Sequence, residues 1–219
     1  IGILVKLDHP CICRLHETFE GQYCIYLVLE FINGRELFEE IVAEGSLDES
    51  RALAIMRQVL SALAYCHARM VMHRDLKPGN VLLDQSVDPA VPKVTDFGLV
   101  RLLDAPKGAP RRTGVGISMG TLGYMAPEQW KEEGVIDERT DVYGLGAILY
   151  SLLTYLRPLS GSVDEVAKKT LAGEIVSPIM RSPERNIPIG LSAVVMKALR
   201  VDAAHRYASI DALRLEVER

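Results

Sequence analysis

The feature that most limits what this chain can fold into is the uncharged run Val142–Leu156, bracketed by Asp141 and Arg157. Its apolar residues fall on every side of a helical wheel, so the run predicts a helix enclosed by the rest of a globular domain. It is shorter than the roughly 20 residues that a membrane-spanning helix needs. Such a helix must be covered by other elements, and a hydrophobic content of 48% supplies the apolar surface to do so.

The covering elements are mixed. Ile12–Phe19 and Tyr23–Glu30 read as two strands joined by a turn at Glu20-Gly21-Gln22. From Glu36 the spacing turns helical. Ser46-Leu47-Asp48-Glu49 forms a capping box, with Ser46 at the N-cap, and opens a helix in which Leu53, Met56, Val59, Leu60 and Leu63 mark one packed face. Asp84–Pro92 is a turn-rich connector between two short strands. Leu103–Ser118, rich in Gly, Pro, Lys and Arg and without apolar period, predicts an exposed loop, and the remainder is helical.

A net charge of -4 gives no basic footprint for nucleic acid, so small-molecule or protein substrates fit better. Cys11, Cys13, Cys24 and Cys66 show no C-x-x-C spacing and no histidines at metal-ligand intervals. They read as reduced thiols of a soluble, intracellular, cytoplasmic protein. Ile1–Pro10 has no leader character and reads as the middle of a domain.

The chemistry-bearing segments are His73-Arg74-Asp75-Leu76-Lys77-Pro78-Gly79-Asn80, Asp96-Phe97-Gly98 and Ala126-Pro127-Glu128. Each aspartate alone would read as a turn or helix cap. In this order and at these separations, with a loop between the last two and a buried helix behind them, the set resembles the protein kinase signature over essentially the whole chain.

The resemblance implies an α+β, protein-kinase-like fold. Residues 1–31 correspond to a remnant of the small β lobe, with a hinge at 29–34, and residues 35–219 to the helical large lobe. It also implies ATP and Mg²⁺ as cofactors and a protein as substrate. Asp75 would take or orient the substrate hydroxyl proton, and Lys77 would place charge on the transferring phosphoryl group. Asp96 and Asn80 would bind Mg²⁺. The Lys77-Pro78-Gly79-Asn80 and Gly120-Thr121 segments look like the Ser/Thr branch, in which Thr121 bridges the catalytic Asp and Lys. Adenine would lie on the Glu30 carbonyl and Ile32 amide, beside Leu29 as gatekeeper and over Leu82, which in isolation reads as plain core. Glu36 matches a ribose- or substrate-contacting position, or is a helix-start glutamate. Arg74 would pair with a phosphate on Thr113 or Ser118. His73 would be a scaffold residue, Glu128 would pair with Arg206, and Asp141 would cap the backbone of the catalytic loop.

The Gly-rich loop and strand lysine of that family are not found in the sequence. Their absence leads us to expect an N-terminal truncation, with weak ATP binding and little turnover by this fragment alone. Leu7-Asp8-His9-Pro10, Arg35-Glu36-Leu37-Phe38 and Asp96-Phe97-Gly98-Leu99 resemble calcium- or calmodulin-regulated kinases, which places any calcium/calmodulin regulation outside this chain. Gly79 stands where many basophilic kinases carry an acid. Competing readings are a catalytically silent kinase-like interaction module, which would lack Asp75, Asn80 or Asp96, and a small-molecule phosphotransferase, which would lack Ala126-Pro127-Glu128.

Overall fold

The computed structural model describes residues 4–44, 49–97 and 122–219. Strands β1 (Leu15–Glu20) and β2 (Ile25–Leu29) form an antiparallel hairpin in which Leu15 faces Leu29 and Glu20 faces Ile25. The Gly21 N–H closes the turn on the Cys24 carbonyl at 2.7 Å. Both strands are shorter than their sequence pattern predicts. At the first, residues 11–13 leave the hairpin and run beside a later strand: Cys13 N–H donates to Val94 O at 2.8 Å, and Val94 N–H to Cys11 O at 2.9 Å. Cys11, Ile12 and Cys13 are all buried there, so the apolar signal was real and only its pairing partner differs.

Strands β3 (Gly34–Glu36), β4 (Val81–Asp84) and β5 (Val91–Val94) form a second antiparallel sheet in that order. Glu36 therefore ends a strand and does not begin a helix, and helix α1 (Leu37–Glu44) starts one residue later. Gly34 permits this sheet to form, because a Cβ there would sit 1.7 Å from the Leu83 carbonyl oxygen. The connector between β4 and β5 lies where the turn residues place it, apart from Asp84 at one end and Val91 and Pro92 at the other, which the ladder absorbs.

Helix α2 (Glu49–His67) buries Met56, Val59, Leu60 and Leu63, with Leu53 half-buried. The proposed N-cap Ser46 lies outside the described residues. Helix α3 (Glu138–Thr154) is the enclosed helix that the uncharged run predicts. It starts earlier, where the Asp137 carboxylate accepts the Arg139 N–H at 2.9 Å. From Thr140 to Leu152 every residue is buried, and each large apolar side chain so enclosed stabilises the fold by about 1.5–3 kcal/mol. Helices α4 (Val163–Ala172) and α5 (Pro178–Arg181) follow. The cover of α3 comes from α2, from α5 and from helices α6 (Ile189–Ala198) and α7 (Ile210–Val217).

Among the described residues no helix is long and apolar enough to cross a membrane. The four cysteines are free, and only Cys24 is exposed. Burial pushes the Cys66 thiol up to about 12, which leaves it protonated and inert.

Candidate active site

After a turn at 68–70, residues 71–77 have no regular structure before the short 3-10 turn Pro78–Asn80 that leads into β4, so their backbone groups need partners from elsewhere. Asp141, in the first turn of α3 and 1% exposed, supplies them. Its Oδ2 accepts the His73 N–H at 2.8 Å and its Oδ1 the Arg74 N–H at 2.7 Å, while His67 Nε2 meets Oδ2 at 2.7 Å. The expected cap on the loop is thus present, with His67 as a further partner.

His73 pins the loop from within. Its Nε2 lies 2.8 Å from the Thr95 carbonyl, which can only accept, and its Nδ1 receives the Asp75 N–H at 3.3 Å. Together these bonds specify the Nε2–H tautomer. The ring also packs on Phe97, with centroids 4.7 Å apart. Burial holds this imidazole below its usual range despite the pull of Asp141. His73 is therefore neutral and structural.

The backbone so held presents three polar side chains to one point. Asp75 Oδ2 receives Lys77 Nζ at 3.2 Å and Asn80 Nδ2 at 3.2 Å, and Asn80 Nδ2 also reaches the Asp75 carbonyl at 2.8 Å. Asn80 is buried, whereas the Asp75 and Lys77 side chains remain 28% and 23% exposed and so within reach of a ligand. Because Asn80 spends its amide nitrogen on Asp75, its oxygen Oδ1 is the end left for a hard cation.

Asp96 comes to this place through the backbone. The Thr95 N–H donates to Asn80 O at 3.0 Å, and the next residue, Asp96, is exposed with φ of 56°. A left-handed aspartate and a left-handed arginine, Arg74 at φ of 68°, therefore flank the cluster. Such conformations cost about 1–3 kcal/mol each and persist where the surroundings over-determine them. Among the described residues no group of three or more His, Cys, Asp or Glu is arranged to hold a metal ion by itself. One carboxylate with one amide oxygen suits Mg²⁺, which keeps several waters or phosphate oxygens.

Leu29 and Asp96 line one small hollow of about 30 Å³, together with Leu4, Ile12, Leu15 and Phe97. The Glu30 side chain serves the scaffold: Oε1 takes Lys93 Nζ at 2.6 Å and Oε2 the Arg14 N–H at 3.1 Å. Burial alone would push this carboxyl up, but Lys93 and the Arg14 amide hold it below its usual range. The Glu30 carbonyl has a long contact from Cys13 Sγ at 3.7 Å. Ile32 is half-buried. Leu82 is half-buried on β4 opposite Glu36. The Glu36 carboxylate lies 3.1 Å from where a Cβ on Gly79 would be, beside the loop 73–80. A larger cavity of about 620 Å³ lies among α2, α3, α6 and the last residues, and none of these groups lines it. Thr121, Thr113 and Ser118 lie outside the described residues.

Glu128 and Arg206 form the expected pair, at 2.8 and 2.7 Å. Three contributors carry no signal in the sequence motifs: His67, which meets Asp141, Lys93, which anchors Glu30, and Gln129, whose Nε2 donates to the Arg74 carbonyl at 2.8 Å. The only sign of Gln129 was its place directly after Ala126-Pro127-Glu128.

Residues 1–216 match the family described as protein kinase domain. The chain is 36% identical to the serine/threonine-protein kinase pkn3 of Myxococcus xanthus, over 97% of this chain and 39% of that protein. It is 38% identical to calcium-dependent protein kinase 5 of Plasmodium berghei, over 80% of this chain and 30% of that one. It thus spans well under half the length of either relative. Among solved structures, Rad53 1-466 in complex with AMP-PNP superposes with a TM-score of 0.77 at 32% identity, covering 97% of this chain and 52% of that chain.

Proposed function

This chain belongs to the protein kinase domain family, and from that premise we propose that it transfers the γ-phosphoryl group of ATP to serine or threonine hydroxyls of protein substrates. The observation that carries the reading is the hydrogen-bonded cluster of Asp75, Lys77 and Asn80 on a loop clamped by Asp141. The named kinase relatives and the AMP-PNP bound by Rad53 support it.

In this reading Asp75 orients the acceptor hydroxyl and takes its proton, and Lys77 sets positive charge beside the transferring group. Asn80 and Asp96 would hold Mg²⁺, which when bound would supply the charge that neutralises the phosphate oxygens. The Glu30 carbonyl and Ile32 amide receive adenine, with Leu29 at the back, Leu82 beneath and Glu36 at the ribose or substrate side. The family resemblance assigns Thr121, outside the described residues, the role of bridging Asp75 and Lys77. Arg74 faces a loop phosphate on Thr113 or Ser118. Residues 1–31 act as part of the small lobe and residues 35–219 as the large lobe. The free thiols support an intracellular setting. Calcium-linked control, as in the name of the Plasmodium relative, acts from outside these residues.

The test is phosphotransfer from Mg-ATP to a protein substrate by the full-length protein that carries these residues, because residues 1–219 by themselves are expected to turn over little, and by its Asp75→Asn variant. Transfer is expected in the first and lost in the second, with unchanged circular dichroism. Transfer that survives the substitution, or a folded wild type with none, overturns the reading.

A further inference from the structure

We infer that Gln129 is a positioning residue for the catalytic loop, acting on Asp75 through the Arg74 carbonyl; the inference rests on the role proposed above for Asp75. Gln129 is 8% exposed, in the short turn Pro127–Trp130. A buried side-chain amide needs partners at both ends. Here Oε1 accepts the Ala126 N–H at 3.0 Å and Nε2 donates to Arg74 O at 2.8 Å. A peptide N–H can only donate and a carbonyl can only accept, so these partners dictate which way the amide points.

The grip falls on a strained residue. Arg74 has φ of 68°, a region that side chains with a Cβ avoid. Its N–H is held by Asp141 at 2.7 Å and its carbonyl by Gln129. That carbonyl belongs to the peptide plane whose N–H is the Asp75 amide, held in turn by His73 Nδ1 at 3.3 Å. The plane sets the direction in which the Asp75 side chain leaves the backbone. Gln129 is thus bonded to one side of the plane and His73 to the other. The turn that carries Gln129 is itself anchored through its neighbour Glu128 on Arg206, so the loop's strained geometry is tied to the helical lobe by a buried side chain.

The test compares wild type with Gln129→Met, which removes both bonds at similar length. It adds Gln129→Glu, which keeps an acceptor for Ala126 N–H but sets a carboxylate oxygen against the Arg74 carbonyl. Amide hydrogen exchange at Arg74 and Asp75 is expected to speed up at least about tenfold, with the α3 amides unchanged. Saturating kcat is expected to fall roughly tenfold to a hundredfold, while KM for Mg-ATP stays within about twofold. A core variant, Ile148→Val, that lowers the melting temperature should leave kcat alone. Exchange and kcat like wild type, or a kcat loss no larger than the core variant gives, overturns the inference. If the wild type itself transfers nothing, the functional reading fails, and the exchange at Arg74 and Asp75 still decides the role of Gln129. Should Gln129→Met fail to fold, Gln129→Glu carries both measurements.

Discussion

Arg206 holds Glu128 through two parallel hydrogen bonds, Nη1 to Oε1 at 2.8 Å and Nη2 to Oε2 at 2.7 Å, across 78 residues of chain. The fork is fully buried on the arginine side. Its remaining donors reach the carbonyls of Arg139, Arg200 and Val201, and the Thr140 hydroxyl adds a bond to Glu128 at 2.7 Å. The turn after the undescribed segment 98–121 is thereby fastened to the start of α3 and to the chain before α7.

Removing one partner strands the other charge in a dry site, so Arg206→Ala is expected to destabilise the fold by about 3–5 kcal/mol. Arg206→Lys should recover only part, because an ammonium cannot reproduce the two-pronged geometry. Urea unfolding measures both, and an unchanged midpoint for the alanine variant would refute the pairing. The pair also predicts an acid limb. Burial pushes the Glu128 carboxyl up, but Arg206 and Thr140 outweigh it and hold it below its ordinary 4.5. A lowered folded value means that its contribution is fully present above 4.5 and is lost as pH falls through the folded value. Glu128→Gln should be less stable at neutral pH and should lose less on acidification.

His73 predicts a pH effect in a different window. Burial lowers its affinity for a proton below the ordinary 6.5, so below that pH the unfolded chain takes up a proton that the folded chain refuses. Stability should therefore fall as pH drops below 6.5, by up to about 1.4 kcal/mol per pH unit for this group. His9, also lowered by burial, acts with the same sign. His73→Phe should then be less stable throughout, having lost the bond to Thr95, but with a shallower slope in this window. An unaltered slope from urea titrations would show that His73 is not neutral in the fold.

The buried helix was legible from the sequence because no other environment suits an uncharged, all-round apolar run, and α2 because its apolar period of three and four was unbroken. The strand ends were not, since Ile12 and Cys13 carry the same apolar signal whether they pair within the hairpin or against Val94. Glu36 was placed in a helix because a three-residue strand leaves no period to read. At the site, the residues proposed to act by side-chain chemistry, Asp75, Lys77 and Asn80, stand out by type and spacing, and the structure brings them together. Gln129 and Lys93 do not, because each works through a partner distant in sequence, at 55 and 63 residues.

Lys77 sits 3.2 Å from the carboxylate that the proposed mechanism uses. Lys77→Ala is expected to lower kcat by roughly 10²–10³, as loss of one aimed donor does. KM for Mg-ATP should stay within about threefold, because a group that acts mainly in the transition state contributes little to ground-state binding. Steady-state kinetics separate the two, and a rise in KM with kcat preserved would reassign Lys77 to nucleotide binding.

Gly144 tests how tightly α3 supports the site. In an ordinary helix interior, replacing glycine by alanine stabilises by about 1 kcal/mol. Here the added Cβ would lie 2.7 Å from Leu76 Cβ and 3.3 Å from the Leu76 carbonyl oxygen, well inside the 3.5–4.0 Å at which carbon atoms rest. Overpacking of this kind typically costs about 1–3 kcal/mol, so the propensity gain is overridden or at best cancelled. Neither contact is the far end of a flexible side chain, and Leu76 lies between Asp75 and Lys77, so relief of the clash must move the loop that carries both. Gly144→Ala should accordingly lose up to about 2 kcal/mol of stability on this balance, and its kcat should fall more than that loss explains. A variant that melts higher than wild type and keeps full kcat would show that α3 does not press on the catalytic loop.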